Sequence, residues 1–290
     1  MKNRATGFRN RLMVATAFLS VALIAYQVAI IQLLSYVQWY HYANMVISIA
    51  LLGFGAAGTF LSLKRDWLLK HSNNLLPILM VFCSFTMAAA VEFGGSSFAR
   101  FDSYLLFTDR MQWIKLLINS LFYFIPFMLG ALALGIVFIK YVEEIGTYYF
   151  SNLVGSGIGA GLAAVLAWYF LPLSLPVVMS LIAMIAGMMM MQWKKEWYVA
   201  LLALTVTAFI FYRIKEPADI NLSEYKSLSR TMNLPASRVS IQKPGPYGLV
   251  EVVSADALRY APGLSLAFDR DVAVKSVIFN NGDWFGPVDS

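Results

Sequence analysis

Few residues in this chain have the types and spacing to do chemistry, and the densest group lies between Gly146 and Gly161. Tyr149 and Asn152 sit there one helical turn apart, and Gly155/Gly159 and Gly157/Gly161 follow as two offset pairs four residues apart. At membrane depth a tyrosine hydroxyl and an asparagine amide seek partners on neighbouring helices or line a cavity. Glycines at that spacing strip one helix stripe to backbone, so another helix can approach closely. Two readings are open: a helix-packing seam, or an intramembrane polar site. Gln27 and Asn119 lie in other apolar runs and join the same set, Gln27 facing another helix or a substrate path and Asn119 bonding across helices.

Other apparent motifs carry less. Gly53-Phe54-Gly55-Ala56-Ala57-Gly58 satisfies G-x-G-x-x-G literally, but a dinucleotide loop needs a strand before it and an acidic residue about twenty positions later. Here the glycines stand inside an apolar run, where they favour helix packing. Met188–Met191 offers four thioethers, which point to different faces of a helix and read as lipid-facing bulk. His41 has no second ligand nearby, and Cys83, the single cysteine, permits neither an intrachain disulfide nor a metal-ligand spacing. The residues therefore supply no catalytic, cofactor-binding or metal-binding set.

The elements that must position these groups are membrane helices. Hydrophobic residues make up 59% of the chain and charged residues 13%, with a mean hydropathy of +0.66, against about half and about a quarter in soluble domains. The apolar residues come in long runs: 12–34, 43–63, 75–91, one within 112–141, 146–171, 177–192 and 197–212. That is about seven spans, each near the length that crosses a bilayer. The first run is too long for a signal-peptide core and reads as an uncleaved span. Pro126 and Gly130 predict a kink in the fourth. Glu92, at the end of the third, reads as solvated, and the loop 93–110, with its scattered aromatics, reads as lying on the membrane surface.

The net charge of +6 does not point to nucleic acid, because the cations gather at span ends. Arg9 and Arg11, Lys64, Arg65 and Lys70, Lys140, and Lys194-Lys195 fall on alternate connections, all on one side. Tyr36, Trp39, Tyr40 and Tyr42 mark the other interface. The positive-inside bias places the basic side, and the N-terminus, in the cytoplasm. An odd number of spans then leaves the polar tail on the far side. The partners expected are the lipid bilayer and a second copy through the glycine-rich helices.

Composition changes after residue 214. The reading is a transmembrane helical domain over 1–214, a linker and short amphipathic helix over 215–235, and a β-rich tail over 236–290. Within it a helix is predicted at 223–233, with Tyr225, Leu228 and Met232 on one face. Strands are predicted at 238–243, 249–253, 265–268 and 272–279, with turns at 244–248 and 280–283. Glu251 between Val250 and Val252 predicts a sheet with one wet face. The fold class is thus an all-α polytopic membrane bundle followed by a small β-rich soluble tail.

Two stretches together resemble a known family. Gly146-x-x-Tyr149-x-x-Asn152-x-x-Gly155-x-x-x-Gly159, preceded by Ile125-Pro126-Phe127-Met128-Leu129-Gly130, resembles the signature spans of bacterial membrane-embedded spermidine synthase-like proteins. Tyr247-Gly248-Leu249-Val250-Glu251-Val252-Val253, with Ala261-Pro262-Gly263-Leu264-Ser265-Leu266, resembles the small N-terminal β-domain of their aminopropyltransferase-like portion. The resemblance implies a bacterial inner-membrane protein whose strand section leads into a Rossmann-type domain. There decarboxylated S-adenosylmethionine would donate an aminopropyl group to a diamine. No glycine-rich loop follows the strands before Ser290, and no Asp-Glu-x-x-Tyr-His-Glu-like segment is found. The chain is therefore expected to be a catalytically incomplete member, and no catalytic residue carries over to it. The competing expectation is a membrane transporter or scaffold with a small soluble docking tail, motivated by Gln27, Asn119 and Asn152.

Overall fold

The computed structural model describes residues 2–191, 197–216, 222–256, 258, 267, 269 and 276–288. Six helices are long and apolar enough to cross a membrane. They are α1 (Lys2–Val37), α2 (Tyr42–Leu63), α3 (Arg65–Gly95), α4 (Met111–Lys140), α5 (Ile145–Leu166) and α7 (Trp197–Lys215). Between the last two lies the shorter apolar helix α6 (Leu175–Met190). At 16 residues it is about 24 Å long, against roughly 30 Å of bilayer hydrocarbon. It packs along α1 and α3. Arg11 Nε donates to the Met189 carbonyl at 3.0 Å beside its C-terminus, and Ser84 Oγ donates to the Ser180 carbonyl at 2.7 Å midway along.

The basic connections meet at one end. Arg9 pairs with Glu144 at 3.6 Å, and Lys140 Nζ donates to Ser72 Oγ at 2.7 Å. The other end carries the connection from α1 to α2, the 96–110 loop and the C-terminus of α5. The tail sits there. The linker residues 217–221, Lys194-Lys195-Glu196 and the family-like stretch 261–266 lie outside the described residues, as does all but Ala267 of the expected strand 265–268.

The centre of the bundle is α1. Leu12, Leu19, Leu23, Tyr26, Ile30 and Leu33 are fully buried among the other helices. Tyr26 donates to the Met87 carbonyl of α3 and packs on Phe127 of α4 at 5.7 Å. The glycine-rich α5 is peripheral, with Phe150, Leu153, Ile158 and Val165 exposed along its outer side. Gly53 brings α2 against the backbone of α4 at Phe127 and Met128, whereas Gly55 and Gly58 face open space. α4 runs unbroken from Met111 to Lys140 through Pro126 and Gly130, and Gly130 receives the Leu23 side chain.

Two expectations about side chains are corrected. Met190 and Met191 are buried, and Met188 and Met189 pack against the same core. The run packs into the end of the bundle beside Arg11, with Met188 and Met189 partly buried and Met190 and Met191 buried. Glu92 is not simply solvated: it pairs with Arg213 of α7 at 2.6 Å, with Arg213 14% exposed.

In the tail, α8 (Ser227–Met232) precedes a four-stranded antiparallel meander of β1 (Arg238–Gly245), β2 (Gly248–Ser254), β3 (Ser276–Asn280) and β4 (Asp283–Val288). The predicted helix at 223–233 begins only at Ser227, because Lys226 is extended (φ −67°, ψ 145°). Tyr225 therefore lies off its face and packs on Tyr104 at 4.5 Å. β4 was unanticipated. Its Gly286-Pro287 pair argues against a strand but is tolerated because β4 is an edge. The turn before it, Asn281-Gly282, has positive φ at both positions (52° and 74°), the requirement of a two-residue type I′ hairpin.

The alternation read in β2 is present with its faces exchanged. Leu249, Glu251 and Val253 are buried and Val250 is exposed. Glu251 is 2% exposed, because that face of β2 lies against the end of α1 and the β3 residues Val277 and Phe279, which pair with Val253 and Glu251.

Candidate functional site

The joint between tail and bundle is built by the segment 222–227. Ser223 N donates to the Val37 carbonyl at 3.3 Å, and Lys226 Nζ donates to the Ser35 carbonyl at 2.7 Å. The last four carbonyls of any helix lack intrahelical partners, and α1 has no basic residue in its last turn. Lys226 supplies both the donor and the positive charge that the helix C-terminus favours. The same ammonium donates to the Asn281 carbonyl, lies 3.5 Å from Asp283 Oδ2 and stands over the Trp39 ring at 5.9 Å. One fully buried cation thus ties the first helix to the β3–β4 turn. Gln32 adds a second tie, its Nε2 donating to the Pro246 carbonyl in the β1–β2 turn at 2.9 Å.

Burial pushes the Lys226 ammonium down to about 8, opposed by the neighbouring Asp283 and Glu251 carboxylates. Glu251 moves the other way: burial raises it, while the Gln242 amide, Lys226 and Tyr36 draw it back. Gln242 Nε2 donates to Glu251 Oε1 at 2.9 Å. The two shifts have one cause, since both charged forms have been taken from water into the joint.

Beside the joint, a polar pocket of about 360 Å³ opens between the 96–110 loop and the start of the tail. Its charged wall residues are Arg100, Lys115, Asp102 and Glu224, and Gln38, Gln112 and Ser223 also line it. The loop is set by Asp102, whose Oδ1 accepts from Tyr104 N at 2.9 Å and whose Oδ2 accepts from Ser223 Oγ at 3.3 Å. Gln112 fastens α4 to it, accepting from Asp102 N and donating to Asp109. A smaller cavity of about 20 Å³, room for about one water, adjoins it and is lined by Gln38, Arg100, Asn119 and Tyr123.

The residues singled out from sequence are distributed over separate helix pairs. Gly155 and Gly159 rest against the Ala17 and Val21 backbone carbonyls of α1, whereas Gly157 and Gly161 meet nothing within 4 Å. Asn152 Oδ1 accepts from Ser20 Oγ of α1 at 2.8 Å. Tyr149 is 52% exposed and meets Phe138 edge-on at 6.2 Å. Gln27 is half-buried on α1, and its side chain forms no hydrogen bond among the described residues. Asn119 is buried between α4 and the end of α3, donating to the Gly94 carbonyl at 2.9 Å. Of the six, only Asn119 borders either cavity.

Sequence reasoning missed Lys226, Asp283, Gln38, Arg100 and Lys115. The first of these carried a usable signal: a lysine among Leu222, Tyr225 and Leu228, next to a serine, just where a polar tail starts. The pocket residues had none, because they converge from α1, the loop, α4 and the tail.

No family model, curated protein or solved structure matches this chain. No group of three or more histidine, cysteine or carboxylate side chains able to hold a metal ion occurs among the described residues.

Proposed function

We propose that the chain is the membrane portion of a spermidine synthase-like, aminopropyltransferase-like protein, its bundle serving as a fixed base for the β-section. The reading rests on the order of family-like stretches, Gly146 to Gly159 and then Tyr247 to Val253. The observation that carries it is the buried Lys226 tie, which fastens the β-section to α1 by bonding Ser35 on the helix and Asn281 in the β3–β4 turn. A base of this kind suits a catalytic module that must keep one orientation at the bilayer. In that reading these 290 residues orient, while a Rossmann-type domain outside them would handle decarboxylated S-adenosylmethionine and the diamine. Membranes carrying the protein expressed from its complete reading frame should release methylthioadenosine and form spermidine when given the donor and putrescine. Absence of both products would remove the enzyme reading.

One observation favours a second reading, a membrane scaffold with a docking tail. The tail meets the bundle at the end away from Arg9, Arg11, Lys64 and Lys140. In a bacterial inner membrane with the N-terminus cytoplasmic, that end is extracytoplasmic, away from a donor made in the cytoplasm. A transport role draws less support, since Asn119 and Asn152 serve different helix pairs and the Gln27 side chain bonds to neither. Reporter fusions after Ser290 decide between the two: a cytoplasmic tail favours the transferase, an extracytoplasmic one the scaffold.

A further inference from the structure

We propose that the polar pocket between the 96–110 loop and the tail binds the head group of a membrane phospholipid, a phosphate with an amine beside it, as in phosphatidylethanolamine. This stands apart from the transferase and scaffold readings.

The charges of the pocket are unmatched from within the protein. Arg100, Lys115 and Glu224 form no ion pair and no side-chain hydrogen bond among the described residues. Asp102, by contrast, has both oxygens engaged by Tyr104 N and Ser223 Oγ. Two unpaired cations on a wall that also carries the Asp102 and Glu224 carboxylates suit a zwitterion, and guanidinium and ammonium groups form their strongest hydrogen bonds to phosphate or carboxylate oxygens. The first turn of α4, a 30-residue helix, brings its positive end to the same wall.

A second, independent observation calls for a donor. Gln38 is 4% exposed, and its Nε2 donates to the Phe101 carbonyl at 2.7 Å. Its Oε1 is buried without a hydrogen-bond partner while the side chain lines the pocket. A buried acceptor left unpaired is costly, and Glu224 on the same wall also accepts. An ammonium next to a phosphate answers both; a bare anion answers only the cations.

Position selects a lipid over a soluble zwitterion. The loop joins the ends of α3 and α4, and Phe98, Phe107 and Trp113 on it and just after it are 52%, 91% and 53% exposed. Large aromatic side chains exposed where two spans end sit at the headgroup level. Leu105 and Leu222 line the same pocket and offer apolar surface to the glycerol end. Ordinary solvated loop charges would account for Arg100 and Glu224 alone, but not for the buried Gln38 oxygen beside them.

The test uses the full chain in detergent, stripped of lipid and followed by native mass spectrometry. Dihexanoyl-phosphatidylethanolamine, dihexanoyl-phosphatidylglycerol, phosphoethanolamine and inorganic phosphate are titrated separately. Phosphatidylethanolamine should bind saturably, and Arg100→Gln with Lys115→Gln should weaken it at least about tenfold. Gln38→Met should weaken phosphatidylethanolamine more than phosphatidylglycerol. Lys64→Gln with Arg65→Gln, at the opposite end, should change nothing. Unsaturable binding, or binding untouched by the Arg100/Lys115 double variant, overturns the proposal. So does equal affinity for soluble phosphoethanolamine, which would assign the site to a free metabolite. Arg100 and Lys115 have no side-chain partners among the described residues, so a melting curve matching the wild type confirms that the double variant reads binding and not misfolding.

Discussion

The Lys226 ammonium lies 2.7 Å from the Ser35 carbonyl oxygen, so the last turn of α1 is capped by a residue 191 positions further along the chain. The same ammonium reaches Asn281 and Asp283. Replacing it leaves two carbonyls without a donor and one carboxylate without its partner. Lys226→Met should cost about 3 kcal/mol and expose the β1–β2 and β3–β4 hairpins to protease while the bundle stays folded. Limited proteolysis in detergent, with intact-mass detection of the 1–216 core, checks this.

The same lysine makes the joint pH-dependent. Its folded value, about 8, lies below the ordinary 10.5, so above pH 8 the docked state holds fewer protons than the undocked one. Docking should therefore strengthen as pH rises from about 8 to 10.5, by about 1.4 kcal/mol per unit at most. Below pH 8 the full cost of burying the charge is present. Glu251, raised by burial, acts in the opposite sense at acidic pH: its docked form holds the extra proton, and its contribution is lost as pH rises through its raised value. Protease protection measured from pH 7 to 10 should rise in the wild type and stay flat in Lys226→Met.

The two glycine pairs of α5 should behave differently. A Cβ at Gly155 or Gly159 would meet backbone of Ala17 or Val21, whereas Gly157 and Gly161 face open space. Gly155→Leu or Gly159→Leu should destabilise the bundle by about 2–3 kcal/mol and separate α5 from α1. Gly157→Leu and Gly161→Leu should melt within a few degrees of the wild type in detergent.

Arg213 holds α7 to the end of α3 through Glu92. Because Glu92 is 39% exposed, Glu92→Gln should cost only about 1 kcal/mol. The Glu92→Arg/Arg213→Glu exchange should recover part of what either single change loses. A double-mutant cycle on thermal melting measures the coupling.

The side of the tail can be read by thiol labelling without background, because the single native cysteine, Cys83, is buried. Tyr247, at the β1–β2 turn, is 88% exposed, and Lys64 lies exposed at the basic end. In intact cells an impermeant maleimide should label Tyr247→Cys and spare Lys64→Cys if the basic end is cytoplasmic. Labelling of Lys64→Cys alone would invert the orientation.

The apolar runs were legible because lipid leaves a chain little choice: backbone groups must bond internally, so a long uncharged run becomes a helix. The runs 43–63 and 197–212 accordingly fall within one to three residues of α2 and α7. The turn at Asn281-Gly282 was legible for a local reason as well, since few other residues accept positive φ twice in succession. The third span was read too short at its N-terminus. Lys70 and His71 look like loop, yet α3 begins at Arg65, because a helix can continue into the interface with its charges in water.

Which side of an element faces what was decided by tertiary contacts. Alternation in β2 was visible, but the end of α1 turned Glu251 inward and left Val250 in water. Glycine spacing offered two equivalent stripes on α5, and α1 took Gly155 and Gly159. Methionines 188–191 are apolar whether they meet lipid or protein; here they pack into the end of the bundle beside Arg11. By itself the sequence determined solvent and secondary structure for most of the chain, because those follow from local composition. The central place of α1, the Lys226 joint and the pocket at Gln38 depend on groups up to about two hundred positions apart, and only the folded bundle brings them together.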